Sequence, residues 1–231
     1  MPRSIFLAIA ACSALMPAAS GQVLNEKLKS GQVTIHAVCV MPVEATWTKV
    51  IVMVREPRPE EADQWSEQLW PVLREGILQA GAQDASEAIA EKARPTILQL
   101  QQKFDAMMKV EGWHSGGIKR GRFTLGDEVA LAPCAAHSDA LLFVRGKATI
   151  PVVASFANSE LQLTFVDARS GEVLAQDTIS ALNDTCLKRP RDAYLDILVK
   201  RFRGMRVGIL SAPSRTHTEI RSPQSPPIPR P

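Results

Sequence analysis

Cysteine and histidine are the side chains of this sequence best suited to bind a metal or act as nucleophiles, and there are four of each. Cys134 and His137 lie three residues apart, which places them on one face of a helical turn. Together with Cys186 they could supply three zinc ligands. His36 and Cys39 have the same spacing, but on a strand it puts them on opposite faces. No C-x-x-C repeat supports a zinc site, so we predict neither metal nor cofactor and keep the three-ligand set as an alternative.

Acyl-transfer chemistry has no recognisable motif in the chain. There is no G-x-S-x-G sequence, and no Ser, His and Asp set stands out. Asp139 and Asp167 flank predicted strand ends, where aspartate is also an ordinary turn residue. We therefore assign no general acid or base and predict a protein that is not an enzyme. The alternative is a secreted hydrolase with a pocket formed by Asp139, His137 or Asp167.

Residues 1–20 have the pattern of a secretory signal peptide. A short positive region precedes an apolar run from Ile5 to Met16, and small residues allow a cut after Ser20. The apolar run is too short to span a membrane. A second interpretation is lipidation of Cys12, because Ile9 to Cys12 resembles a bacterial lipobox. Either pattern predicts an exported protein of the periplasm or cell envelope.

Export permits a disulfide, because secreted proteins mature in an oxidising compartment. After a cut at Ser20, Cys39, Cys134 and Cys186 remain. Cys39 lies in an apolar strand-like run, where an unpaired cysteine behaves as a small hydrophobic residue. Cys134 and Cys186 lie in loop-like sequence, so they are the candidate disulfide. Three unpaired thiols are the alternative.

The charge pattern predicts no nucleic-acid partner, since the net charge is only +3. A glycine-rich basic loop, 111–123, does not fit the P-loop pattern, and we interpret it as exposed. The terminal helix, 191–205, and its approach carry a basic surface that is either simply solvated or able to contact anionic lipid, peptidoglycan or a partner. The basic loop residues are Lys119, Arg120 and Arg122, and the candidate anionic-surface patch is Lys188, Arg189, Arg191, Lys200, Arg201, Arg203 and Arg206.

The periodicity of apolar residues predicts an α/β (α+β) domain with a mixed, largely antiparallel sheet. Its clearest part is a hairpin of strands 160–167 and 172–179, joined by a turn from Asp167 to a positive-φ Gly171. The other predicted strands are 33–42, 46–55 and 140–146. The predicted helices are 60–81, 85–110 and 191–205, with kinks or restarts at Pro71 and Pro95 and a further short helix within 125–136.

The predicted organisation is a signal peptide at 1–20, a polar leader at 21–32 and one domain at 33–210. Residues 211–231 are rich in proline and nearly free of apolar side chains, so we predict a disordered tail.

Four segments resemble the CsgG and TolB-amino-terminal type of bacterial envelope protein. They are Val40-Met41-Pro42, Leu125-Gly126, Ser138 to Leu142, and the turn Val166 to Leu174. The resemblance implies a lipoprotein-like accessory protein that assists envelope machinery. It carries over no functional residue. The resulting hypothesis is an exported envelope protein that binds an envelope protein or peptidoglycan and meets the membrane only through a lipid anchor or weak surface contact. A module that binds anionic surfaces is the further alternative.

Overall fold

The computed structural model describes residues 21–51, 54–88, 94–109, 115–151, 157–182 and 184–208. They form a mixed α/β fold around one eight-stranded, mostly antiparallel sheet, which confirms the predicted fold class. The strands are β1 (Val23–Leu24), β2 (Ala37–Val40), β3 (Glu44–Ile51), β4 (Val54–Pro57), β5 (Gln83–Asp84), β6 (Ala140–Pro151), β7 (Asn158–Asp167) and β8 (Val173–Ala181).

Their order in the sheet is β1-β8-β7-β6-β2-β5. β3 pairs with β6 beyond the end of β2, and β4 pairs with β3. The helices are α1 (Glu26–Ser30), α2 (Pro59–Ala80), α3 (Arg94–Met108), α4 (Ser115–Lys119), α5 (Thr185–Lys188) and α6 (Pro190–Gly204). No helix among the described residues combines the length and apolar character needed to cross a membrane.

The sheet has two faces that the helices cover unequally. On the α2 face, α2 and α6 bury side chains such as Trp65, Leu73 and Phe202 against the strands. On the opposite α3 face, among the described residues, α3 and several 3-10 turns pack on the part of the sheet around Leu141 and Phe143. The result is three layers over one half of the sheet and two layers over the other.

The predicted β7–β8 hairpin is confirmed, because the two strands pair antiparallel. Asp167 Oδ1 accepts hydrogen bonds from the backbone N–H groups of Arg169 at 3.0 Å and Ser170 at 2.7 Å. Gly171 has a φ of +71°. Both residues therefore have the turn roles that their chemistry predicted.

The predicted strand 46–55 is wrong in its extent, because its residues belong to two different strands. β3 ends at Ile51, and β4 pairs back on it antiparallel. The predicted strand 33–42 is also shorter than expected. β2 and β3 do not pair with each other within the described residues; both run parallel to β6. Pro42 lies between them, where its missing N–H costs no ladder hydrogen bond.

The polar leader at 21–32 proves to be part of the fold. β1 pairs with β8, and Leu28 of α1 is fully buried. Asn25 caps α1 by accepting from the N–H of Lys27 at 2.8 Å, and it also donates to Glu172. The polar composition misled the prediction because the polar Asn25 is buried as the cap of α1, although Glu26, Lys29 and Ser30 are exposed.

Helix α2 is continuous through Pro71, so of the predicted kink or restart the restart is wrong. The proline costs one backbone hydrogen bond, which the burial of Trp65, Leu69 and Leu73 on the same helix offsets. The predicted helix 85–110 appears as a 3-10 turn at Ser86–Ala88 and as α3, with 89–93 outside the described residues. The predicted helix within 125–136 appears as 3-10 turns at Asp127–Leu131 and Ala135–His137.

Candidate binding surfaces

The disulfide of this fold joins Cys39 to Cys134, so the predicted Cys134–Cys186 pair is wrong. The reason is the sheet itself. Cys39 and Cys134 both belong to the core on the α3 face, whereas Cys186 is buried in the core on the α2 face. The zinc alternative fails for the same reason, and no group of three metal-ligating side chains occurs among the described residues.

Cys186 belongs to a buried polar cluster. Ser159 Oγ donates to its Sγ at 2.8 Å and lies 2.6 Å from Tyr194 Oη. Burial raises the pKa of Tyr194, and the hydrogen bond to Ser159 opposes that shift. All three side chains are completely buried, and Trp65 Nε1 donates to the carbonyl of Cys186 at 3.1 Å. The cluster therefore ties α2 and α6 to the sheet and offers no surface to a solute.

Asp139 and Asp167, the two carboxylates considered for catalysis, are both engaged with backbone. Asp139 Oδ2 accepts from the N–H groups of His36 at 2.8 Å and Ala37 at 3.0 Å, which holds the start of β2 against β6. Asp167 organises the hairpin turn. His137 ends a 3-10 turn nearby. The arrangement makes both carboxylates structural.

Most of the predicted basic patch on α6 is engaged in pairs within the domain. Arg191 makes two hydrogen bonds to Glu75 of α2, which raises the pKa of Arg191 and lowers that of Glu75. Arg203 donates to the carbonyl of Gln79. The others are Lys188 with Asp184, Arg189 with Asp192, Arg201 with Asp177, and Arg206 with the carbonyl of Leu28. Four of the seven basic side chains are thus paired with carboxylates, whereas Arg203 and Arg206 contact neutral carbonyls, which do not cancel their charge.

The Arg201–Asp177 pair predicts a measurable pH dependence. Asp177 is fully buried, and its Oδ2 lies 3.6 Å from Arg201 Nε. Burial raises the pKa of Asp177, while Arg201 and the N–H of Thr178 oppose the shift. A carboxyl with a raised folded-state pKa stabilises the fold below its unfolded pKa, and that stabilisation is lost as pH rises through the folded pKa.

We therefore expect Asp177→Asn to become progressively more stable relative to wild type as the pH rises from about 3.9 to neutrality. Urea unfolding of both proteins across this range measures the difference. Asp63→Asn, at an exposed position of α2, is the control and should show no such trend. A difference between Asp177→Asn and wild type that stays constant with pH would contradict the prediction.

The basic loop is partly described. Lys119 ends α4, and Lys119, Arg120 and Arg122 are exposed, as expected. Residues 110–114 lie outside the described part. Cys12, the predicted signal peptide and the predicted tail also lie outside it.

A flat polar surface, which we call the open face, is the uncovered half of the α3 face. Side chains alternate in direction along β3, β6, β7 and β8. One set points into the core on the α2 face, and the other set points to the open face. Strand register aligns them in rows, for example Thr149 with Asn158 and Lys147 with Glu160. The open face consists of Thr46, Thr48, Lys147, Thr149, Asn158, Glu160, Gln162, Thr178 and Ser180, all exposed or half-buried.

The border of the open face is held by Arg145. Its guanidinium lies over the Phe104 ring of α3, 5.1 Å from the centroid, and pairs with Glu44 of β3 at 3.7 Å and with Asp105 of α3. Burial raises the pKa of Glu44, and Arg145 opposes the shift. Phe104 in turn stacks on Phe143 at 4.5 Å. Arg145 thus fixes the end of α3 at the edge of the open face.

A buried hydroxyl lies beside the same border. Thr164 Oγ1 is inaccessible and has no hydrogen-bond partner among the described residues. Leaving such a group unsatisfied costs about 1–3 kcal/mol. We therefore expect Thr164→Val to raise the free energy of unfolding by about 1 kcal/mol, as measured by urea denaturation. Thr178→Val on the adjacent strand, which is half-buried, is the control and should change stability by less than about 0.5 kcal/mol. Equal changes in the free energy of unfolding for the two variants would contradict the prediction.

A concave feature lies between α2 and α6. It is an open depression of about 440 Å³ lined by apolar side chains such as Pro71, Val72 and Pro190, with Glu75 and Arg191 on its rim. The pocket expected for a hydrolase at Asp139, His137 or Asp167 does not coincide with this depression.

Sequence reasoning did not identify the open face. Its signal was present in the alternation of polar residues at Asn158, Glu160 and Gln162 with apolar ones between them. That alternation predicts a strand with one solvated side, but only the pairing of four strands shows that their polar sides form one surface.

Comparison with known proteins gives distant structural likenesses. No protein-family model and no curated protein matches the chain. The crystal structure of lipoprotein GNA1162 from Neisseria meningitidis is similar with 13% identity over 76% of this chain and 99% of that one, at a TM-score of 0.31. The LpoB C-terminal domain from Salmonella enterica is similar with 11% identity over 68% and 95%, at a TM-score of 0.26.

At these TM-scores, neither likeness supports an inference about activity. Both named structures are proteins other than CsgG and TolB, so the resemblance to that particular family remains a prediction. The chain has a distant structural likeness to a bacterial lipoprotein.

Proposed function

We propose that this chain is an exported protein of the bacterial cell envelope that works by binding peptidoglycan, and that it has no catalytic site. The open face is the observation that carries the proposal. It is broad, regular and rich in hydroxyl and carboxamide groups, and it belongs to a chain with a predicted signal peptide.

The chemistry of the open face favours a polar, hydrogen-bonding partner. Lys147 and Glu160 of the open face are opposite in sign and aligned in register, so their charges compensate each other. It contains no aromatic side chain, whereas the centres of protein–protein interfaces are enriched in Tyr, Trp and Phe. The hydroxyl and acetamido groups of glycan strands match the donors and acceptors of Thr149 and Gln162.

The roles of the ionisable groups support binding over catalysis. Asp139 Oδ2 and Asp167 Oδ1 each accept two backbone N–H groups, which gives both carboxylates a structural role. The basic side chains of α6 are largely paired within the domain, which disfavours the alternative of an anionic-surface module.

Co-sedimentation with purified peptidoglycan sacculi tests the proposal. We expect Thr149→Val combined with Gln162→Leu to weaken binding about tenfold, because the pair removes hydrogen-bonding groups while keeping side-chain size and net charge. Gln64→Leu combined with Gln68→Leu, at exposed positions of α2, is the matched control and should bind like wild type. Thermal unfolding of each variant checks that the fold is intact.

Wild-type protein that does not sediment with sacculi would overturn the proposal. Equal loss in both double variants would show that the open face is not the binding surface. Capture of a purified envelope protein through the open face, without binding to sacculi, would assign the surface to a protein partner instead.

A further inference from the structure

The middle of the open face carries two opposite charges side by side. Lys147 of β6 is directly opposite Glu160 of β7, and Thr46 of β3 and Ser180 of β8 complete the same row. Directly opposite residues point to the same side of a sheet, with their Cβ atoms about 5 Å apart. The two charges therefore lie on the two inner strands of the open face, in a row that has a further row of open-face residues on either side.

The domain does not use these two charges to hold itself together. Lys147 and Glu160 are both exposed, and within the described part of the chain neither makes a hydrogen bond or an ion pair. Opposite charges that face each other across two strands can stabilise a sheet by pairing. Arg145, two residues before Lys147 on β6, is engaged in this way with Glu44 of β3. The side chains of Lys147 and Glu160 are instead both available to a ligand.

Neutral polar groups adjoin the charged pair along the two inner strands. Thr149 follows Lys147 on the open face of β6, and Asn158 and Gln162 flank Glu160 on that of β7. Their side chains also make no hydrogen bond among the described residues. A matching ligand offers a cation and an anion close together, next to groups that form neutral hydrogen bonds. Because one residue of an extended peptide spans about 3.5 Å, the two charges of a peptide ligand would lie on the same residue or on adjacent ones.

Peptidoglycan carries such a pair of charges in its peptide stems and not in its glycan strands. The glycan offers hydroxyl and acetamido groups, whereas the stems bear carboxylates and, where they are not cross-linked, a free amine. Lys147 can donate to a stem carboxylate, and Glu160 can accept from the stem ammonium group. Hydrogen bonds between ionised groups of this kind are stronger than those between neutral groups, so the stem would supply the strongest contacts of the open face.

We propose that Lys147 and Glu160 bind the zwitterionic part of a peptidoglycan peptide stem, while the neutral groups beside them contact the glycan. The inference rests on the proposed function, because it names the part of peptidoglycan that the centre of the open face recognises. It also gives the protein a preference for stems that are not cross-linked. Cross-linking converts the stem amine into an amide, which carries no charge for Glu160 to bind.

Chemically blocked sacculi test the inference with the processed full chain. Acetylation of purified sacculi neutralises the stem amines, and conversion of the carboxylates to methylamides neutralises the stem carboxylates. Co-sedimentation then gives the Kd of the protein for intact, acetylated and amidated sacculi. We expect each modification to weaken binding of the wild-type protein about fivefold, which corresponds to the loss of one solvent-exposed ion pair.

Two single variants connect each ligand charge to one side chain. Glu160→Gln should bind intact sacculi about fivefold more weakly and no longer respond to acetylation, and Lys147→Gln should no longer respond to amidation. Sacculi carry more carboxylates than amines, so attraction between net charges alone would make Glu160→Gln bind more tightly. Glu67→Gln and Lys29→Gln, at exposed positions of α2 and α1, change the net charge equally and should keep both responses. Thermal unfolding checks that each variant is folded.

Equal binding of the wild-type protein to all three preparations would overturn this inference and leave peptidoglycan binding intact. No binding to any of them would overturn the proposed function, and the inference with it. Equal behaviour of Glu160→Gln and Glu67→Gln would show that the charged pair is not the binding site. Phosphatidylethanolamine headgroups carry the same two charges. Binding to vesicles of phosphatidylethanolamine and phosphatidylcholine that is lost in Glu160→Gln, with no response to blocked sacculi, would assign the pair to a lipid headgroup and overturn the inference.

Discussion

Replacing both Cys39 and Cys134 with alanine is expected to lower the free energy of unfolding by about 4 kcal/mol. The disulfide joins residues 95 positions apart. In the chain-entropy description, a loop of about 100 residues gives about 4.7 kcal/mol, and native disulfides contribute about 2–5 kcal/mol. The bond also links β2 to the turns that cover the α3 face, so its loss should loosen that layer.

Urea unfolding followed by far-ultraviolet circular dichroism measures this effect. Wild type in the presence of a reductant should move toward the double variant, and the double variant should not respond to reductant. Cys186→Ala is the control, because it removes a buried thiol without removing a cross-link, and we expect it to cost about 1 kcal/mol. Equal unfolding midpoints for wild type and the double variant would mean that Cys39 and Cys134 do not pair.

Gly171→Ala is expected to cost about 3 kcal/mol, the second large effect. Its φ of +71° costs a residue with a side chain about 1–2 kcal/mol. A Cβ at this position would also lie 2.4 Å from the backbone oxygen and 2.6 Å from the backbone nitrogen of Gly126. Backbone atoms cannot turn away as a side chain can, so the hairpin and the segment at Gly126 must separate.

Gly31→Ala separates the two contributions. Gly31 also has a positive φ, +81°, but the nearest atom to a Cβ at this position would be the mobile end of the Arg206 side chain, at 3.5 Å. We expect Gly31→Ala to cost about 1 kcal/mol in the same denaturation experiment. Equal losses at the two positions would show that the contact between Gly171 and Gly126 contributes nothing.

Local patterns were sufficient for the parts of the fold that depend on neighbours in sequence. The alternation in β7, the turn from Asp167 to Gly171 and the apolar stripes of α2 and α6 each follow from residues a few positions apart. Asp167 and Gly171 could also be given their roles correctly, because an Asx turn and a positive φ are properties of the local backbone.

Features that depend on which helices and strands pack together could not be predicted from local sequence patterns. The polar residues at 21–32 predicted a leader, but Asn25 and Lys27 contact Glu172, which is far away in sequence. The basic residues of α6 predicted an open charged patch, but the packing of α6 on α2 brings Arg191 to Glu75. In each case a polar side chain that looked solvated has a distant partner.

The cysteines show the same division. The sequence alone predicted an α/β domain, a hairpin that turns at Gly171, an export signal, and a compartment in which a disulfide can form. Only the tertiary structure decided that Cys134 pairs with Cys39, because a strand side chain takes one face of the sheet and Cys186 lies behind the other. It also decided that the polar sides of four strands form the open face. That surface depends on strand register, which arises when separate segments pair and which no single segment encodes.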